Sequence, residues 1–98
     1  MLQIFQLLDD NDPPKWTKIG TGAMSVGGWE SIGKAKSLEE AKHMMLSNSK
    51  FAIEGAILFY SPAYSNSWGV NCATPEMMKY HQGTDNPNWT KYQLSYQG

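Results

Sequence analysis

The sequence predicts an α+β fold: an antiparallel sheet of four to six strands, with one main helix packed on it, in a single domain spanning residues 1–98. Three observations carry this. One segment, Ser37–Ser49, has a capping signal and helical apolar spacing. A second, Phe51–Pro62, is apolar on both faces. The third, Trp89–Tyr96, alternates from Lys91 on, with Tyr92, Leu94 and Tyr96 facing one way and Lys91, Gln93 and Ser95 the other.

Taken in chain order, "LQIFQLL" (Leu2–Leu8) reads as a strand with Leu2, Ile4 and Leu8 on one side and Phe5 and Leu7 on the other. "DDNDPP" breaks it, because consecutive prolines can neither extend a ladder nor open a helix interior. "KWTKI" (Lys15–Ile19) is a short strand candidate. The glycine-rich Gly20–Ser31 segment reads as a loop or a twisted, bulged ribbon. In "SLEEAKHMMLSNS", Ser37 is the N-cap and Glu40 completes a capping box, while Glu39 and Glu40 meet the positive end of the macrodipole. Leu38, Ala41, Met44 and Met45 form one apolar face, and Asn48 is the expected stop. "FAIEGAILFYSP" has the character of a central strand, bulged at Gly55 and ended by Pro62. "WGVNCA", with Trp68, Val70 and Cys72 in alternation, can pair with it as a hairpin. One helical turn is expected near Pro75–Tyr80, and the closing strand should set Tyr92, Leu94 and Tyr96 on one face, at a sheet edge.

Composition narrows the function. Net charge is −1 with a pI of about 6.0, and the eight Lys and Arg residues do not cluster, so neither nucleic acid nor an anionic membrane is an expected partner. The lone Cys72 can form no intrachain disulfide, and "MLQIFQLLDD" has no basic n-region and no unbroken apolar run. Both features lead to the expectation of a reducing intracellular compartment. "NWT" (Asn88–Thr90) is a glycosylation sequon that matters only in a secreted chain.

An Asp/Asn/Pro loop runs into Trp-Thr-Lys twice, at "NDPPKWTKIG" and "DNPNWTKYQL". Turn residues ahead of a Trp at the first extended position would anchor each loop. Three readings are open. The first is two plain strand openings, the second is two openings side by side as one amphipathic patch, and the third is a duplication, against which the lack of any second helix copy speaks.

"SLEEA", "FAIEGAILFYSP", "SWGVNC" and "NPNWTKY", in this order over roughly Trp29–Tyr96, resemble the PAN/apple module. The half-cystines of that family would fall near Ala41, Met45 and Phe51, where this chain has apolar residues, and only Cys72 remains. The resemblance implies protein or carbohydrate binding without catalysis and supplies no site residue by position. A competing layout is a ferredoxin-like βαβ plait, in which "GKAKSLEEAKHMM" and the strand after it form one half. Prolines and glycines between Asp9 and Met24 oppose the second helix that it needs.

For chemistry, Cys72 with His43 or His81 is a nominal nucleophile and base, but the alternation around Cys72 predicts an inert core thiol. "DDNDPP" fails the calcium-loop pattern, and neither "GTG" nor "VGGWES" stands in a phosphate-binding context, so no metal or cofactor is expected. The region Tyr64–Trp89 is different. It interleaves Tyr64, Trp68, Tyr80 and Trp89 with Asn66, Asn71, Gln82, Asp85, Asn86 and Asn88. Flat aromatic faces with directional amides suit a protein partner or the apolar face of a sugar. The expected site is therefore Trp16, Tyr64, Asn66, Trp68, His81, Asp85, Asn86, Asn88 and Trp89. The expected function is non-enzymatic recognition of a protein partner through these loop aromatics, with a lectin-like carbohydrate-binding module as the alternative. A dimeric ferredoxin-like small-molecule protein is the third possibility. Self-association would proceed through the C-terminal strand as a free edge.

Overall fold

The computed structural model describes residues 13–26, 29–80 and 82–96, so the Leu2–Leu8 strand expectation and His81 lie outside the described residues. Within them the chain forms the expected α+β architecture. Strands β1 (Lys15–Thr21), β3 (Glu30–Gly33), β4 (Ile57–Tyr60), β5 (Val70–Ala73) and β7 (Thr90–Ser95) make one sheet in the order β1-β7-β4-β5-β3, with every pair antiparallel. Strands β2 (Ala23–Val26) and β6 (Gln82–Thr84) pair as a separate two-stranded ribbon. Helix α1 (Leu38–Leu46) joins β3 to β4, and the single turn α2 (Pro75–Met78) follows β5.

Local chemistry explains the helix ends. The Ser37 hydroxyl accepts the Glu40 N–H at 3.1 Å, and the Glu40 carboxylate reaches back past the cap to the Lys36 N–H at 2.6 Å. The helix ends with Ser47 as its C-cap, one residue before the expected Asn48. Thr74 caps α2 by accepting the Met77 N–H at 3.1 Å, and Pro75 occupies the first turn, where its missing donor costs nothing.

The sheet is covered on both faces, which is why β4 is buried at all four positions. On one face Leu58, Tyr60, Val70, Cys72 and Leu94 pack with Ala41 and Met45 of α1, and Leu38 and Met44 border the cluster. On the other face Ile57, Phe59, Ala73 and Trp89 pack together, bordered by Ala23, Met77 and Met78. Leu94 is fully buried, with Tyr92 and Tyr96 packed against the same cluster, so the alternation expected of the last strand holds.

Two expectations are corrected. The central strand is Ile57–Tyr60 alone. Phe51–Gly55 turns instead, with the Phe51 and Ala52 N–H groups donating to the Asn48 carbonyl and Gly55 at φ +84°, while buried Phe51 anchors the turn in the core. The C-terminal strand is not an edge: β7 is paired by β1 on one side and β4 on the other, so its ladder offers no place for a second copy. Alternation reports one solvated face, and it is silent about the edges. Of the two readings of the glycine-rich Gly20–Ser31 stretch, the bulged ribbon holds: it supplies the end of β1, all of β2 and the start of β3, with a register shift between Met24 and Val26.

The plait alternative is half present. β3 and β4 flank α1 and both run antiparallel to β5 between them, so they are parallel to each other, a split βαβ unit. Its other half does not form, because β1 and β2 stand where the second helix would be.

Candidate functional site

The doubled Trp-Thr-Lys opening resolves into two strand starts whose tryptophans do not meet. β1 and β7 are partners, but they are antiparallel, so Trp16 stands opposite Leu94, five residues beyond Trp89. At about 3.3 Å per residue the two indoles are offset by roughly 16 Å along the strands. They also lie on opposite faces. Trp16 packs half-buried on the α1 side, with the Lys42 ammonium 5.6 Å from its ring centre, whereas Trp89 belongs to the cluster on the far side. Trp16 therefore stands apart from the other expected site residues.

Those others largely converge. On the face away from α1, a cleft of about 340 Å³ is lined by Ala23, Trp29, Phe59, Trp68, Asn71, Asn86 and Trp89. A second hollow of about 250 Å³ is lined by Tyr64, Trp68, Asn86, Asn88 and Trp89. Three residues, Trp68, Asn86 and Trp89, are common to both.

Each wall is built by a different element. The floor is Phe59 of β4 and Asn71 of β5, which are register partners on the face opposite Leu58 and Cys72. Trp89 is nearly buried just before β7, where its carbonyl accepts the Gly22 N–H at 2.9 Å. Trp29 borders β3 and Trp68 ends the β4–β5 loop, and these two stay open to solvent at 41% and 77% exposure. Tyr64 stacks on Trp89 with ring centres 6.4 Å apart and planes within 16°, and it lies 6.0 Å from Trp68 at a tilt of 54°. Such offset and tilted pairs are the favoured aromatic geometries.

The β4–β5 loop is rigid by construction. Ser61 and Ser65 are fully buried. The Ser65 hydroxyl accepts the Ser61 N–H at 2.9 Å, and the Ser61 hydroxyl accepts the Ala63 and Tyr64 N–H groups at 3.2 and 3.1 Å. Two further bonds, from the Ser65 N–H to the Ser61 carbonyl and from the Trp68 N–H to the Tyr64 carbonyl, close the turn. The Ala35 N–H then ties the loop to the chain leading into α1 through the Ser65 carbonyl, at 3.0 Å. The backbone that carries Tyr64 and Trp68 is thus fixed before any ligand arrives. Opposite them, the Asn86 side-chain oxygen accepts the Asn88 N–H at 3.0 Å and its carbonyl accepts the Trp89 N–H at 3.2 Å, forming the tight turn ahead of β7.

Among the described residues, the lining side chains include no carboxylate, amine, imidazole or thiol. They offer aromatic faces and primary amides, which donate and accept hydrogen bonds but do not transfer protons at neutral pH. Among the described residues no group of three or more His, Cys, Asp or Glu side chains is placed to hold a metal ion. Cys72 is buried on the helix side, and burial first, with the Glu30 charge second, pushes its thiol up to about 12. No helix among the described residues is long and apolar enough to cross a membrane.

Of the expected site, Tyr64, Trp68, Asn86, Asn88 and Trp89 come together. Asn66 is exposed on the same loop and Asp85 is exposed beside Asn86, and neither lines the clefts. Trp29, Phe59 and Ala23 were not expected there. Phe59 was legible in principle, since a strand apolar on both faces must present alternate residues to both sides. Trp29 carried a weaker signal, a large aromatic isolated in a glycine-rich polar stretch. Compared with family models, with curated proteins and with solved structures, the chain matches none.

Proposed function

We propose that this chain is a non-enzymatic recognition module that takes up a carbohydrate in the aromatic–amide cleft of its helix-free face. One observation carries the reading. Trp29, Trp68 and Trp89, from three separate parts of the chain, converge with Asn71 and Asn86 around one concave space whose described lining residues are uncharged. A volume of about 340 Å³ lies in the range of small-ligand sites. Aromatic faces suit the apolar C–H face of a sugar ring, and amides that both donate and accept suit its hydroxyls. The described lining residues carry no charge to repay the desolvation of a phosphate or carboxylate, which disfavours such ligands.

A protein partner is the second reading, favoured by the projection of Trp68, since exposed tryptophans are common anchors at interfaces. Calorimetry with a panel of neutral mono- and oligosaccharides separates the two. The carbohydrate reading expects binding that Trp68→Ala weakens about tenfold or more with the fold retained. No heat from any sugar at millimolar concentration contradicts it and returns the search to a protein partner.

A further inference from the structure

The geometry points to two adjoining sugar subsites, so that the ligand is a linear oligosaccharide of neutral hexopyranose units and not a single ring. This rests on the carbohydrate reading above. The first cleft and the second hollow share Trp68, Asn86 and Trp89, so they are neighbouring compartments of one trough. Trp68, the most exposed of these three, stands between them and can present surface to both.

Each compartment has the same chemical equipment. The first adds Trp29 and Asn71 to the shared residues, and the second adds Tyr64 and Asn88. A stacking surface and an amide are therefore available on either side of Trp68. A monosaccharide would use one compartment and leave the second aromatic and amide unmatched. Two linked rings would use both, and the fixed β4–β5 loop means that the second subsite needs no ordering when the ligand arrives. The described lining residues, uncharged in both compartments, favour neutral units.

The test is a ladder of cello- and malto-oligosaccharides from one to four units, measured by calorimetry on the full chain and on Asn88→Ala. Asn88 is exposed and its turn bond is made by its backbone N–H, so the substitution should leave the fold intact, as thermal unfolding would verify. Two subsites predict that one of the two series binds about tenfold or more tighter as the disaccharide or trisaccharide than as the monosaccharide. They also predict that Asn88→Ala removes most of that gain, bringing the longer sugars to within a few-fold of the monosaccharide. Equal affinity along the ladder would overturn the second subsite and leave the carbohydrate reading standing. Silence at every length would overturn both.

Discussion

At Gly69 the backbone takes a φ of +112°, and an added Cβ would lie 2.7 Å from the Ser31 hydroxyl and 3.2 Å from the Gly33 carbonyl. That residue turns the chain between Trp68, which projects into solvent, and Val70, which is fully buried. Gly69→Ala is expected to destabilise the fold by about 1–3 kcal/mol and to misplace the Trp68 ring. Chemical denaturation checks the first effect and the sugar titration the second. Cys72 is governed by burial in the same direct way. A thiol raised from 9.0 to about 12 stays neutral in the folded protein while the unfolded chain ionises above pH 9. Its stabilising contribution is thus full below pH 9 and is lost at roughly 1.4 kcal/mol per pH unit as pH rises toward 12. At neutral pH the thiol should react with a disulfide reagent only as fast as the protein opens, and a reaction that outruns unfolding would refute its burial.

At the scale of elements, the β4–β5 loop depends on two hydroxyls. Ser65→Ala removes the acceptor of the Ser61 N–H from a fully buried site, with an expected cost of about 1–3 kcal/mol and faster hydrogen exchange at Tyr64 and Trp68. Unchanged exchange there would contradict the loop's role. In α1, Met45→Ala should cost about 2–5 kcal/mol, because Met45 is fully buried against the sheet. Helix α1 was the most legible element, since Ser37, Glu40 and the Leu38/Ala41/Met44/Met45 stripe all act locally. The extent of β4 was not legible, because Phe51 is apolar for an anchor's reason and the positive φ of Gly55 ends the run. Nor was the interior position of β7, which depends on β1 pairing with it from far away in sequence. The site was half legible for the same reason. Tyr64, Trp68 and the Asn86–Trp89 turn announce themselves as aromatic and amide loops, while Trp29 and Phe59 join them only through the sheet order.

At the scale of the whole molecule, the sheet divides two tasks. One face packs against α1 and supplies the larger buried cluster, and the other carries a smaller cluster and the open trough. Because the described lining residues are neutral, sugar affinity should be flat from low salt to about 0.5 M and between about pH 5 and 8. A steep dependence on either would place a charged group in the contact. The sharpest test uses the four tryptophans as reporters, since three line the trough and Trp16 lies on the opposite face. Their indole N–H resonances, assigned by single substitution, would be followed in proton–nitrogen NMR spectra while cellotetraose and then maltotetraose are added. The account predicts that one of these sugars shifts Trp29, Trp68 and Trp89 and leaves Trp16 in place. Shifts at Trp16, or no shift at the other three with either sugar, would contradict it.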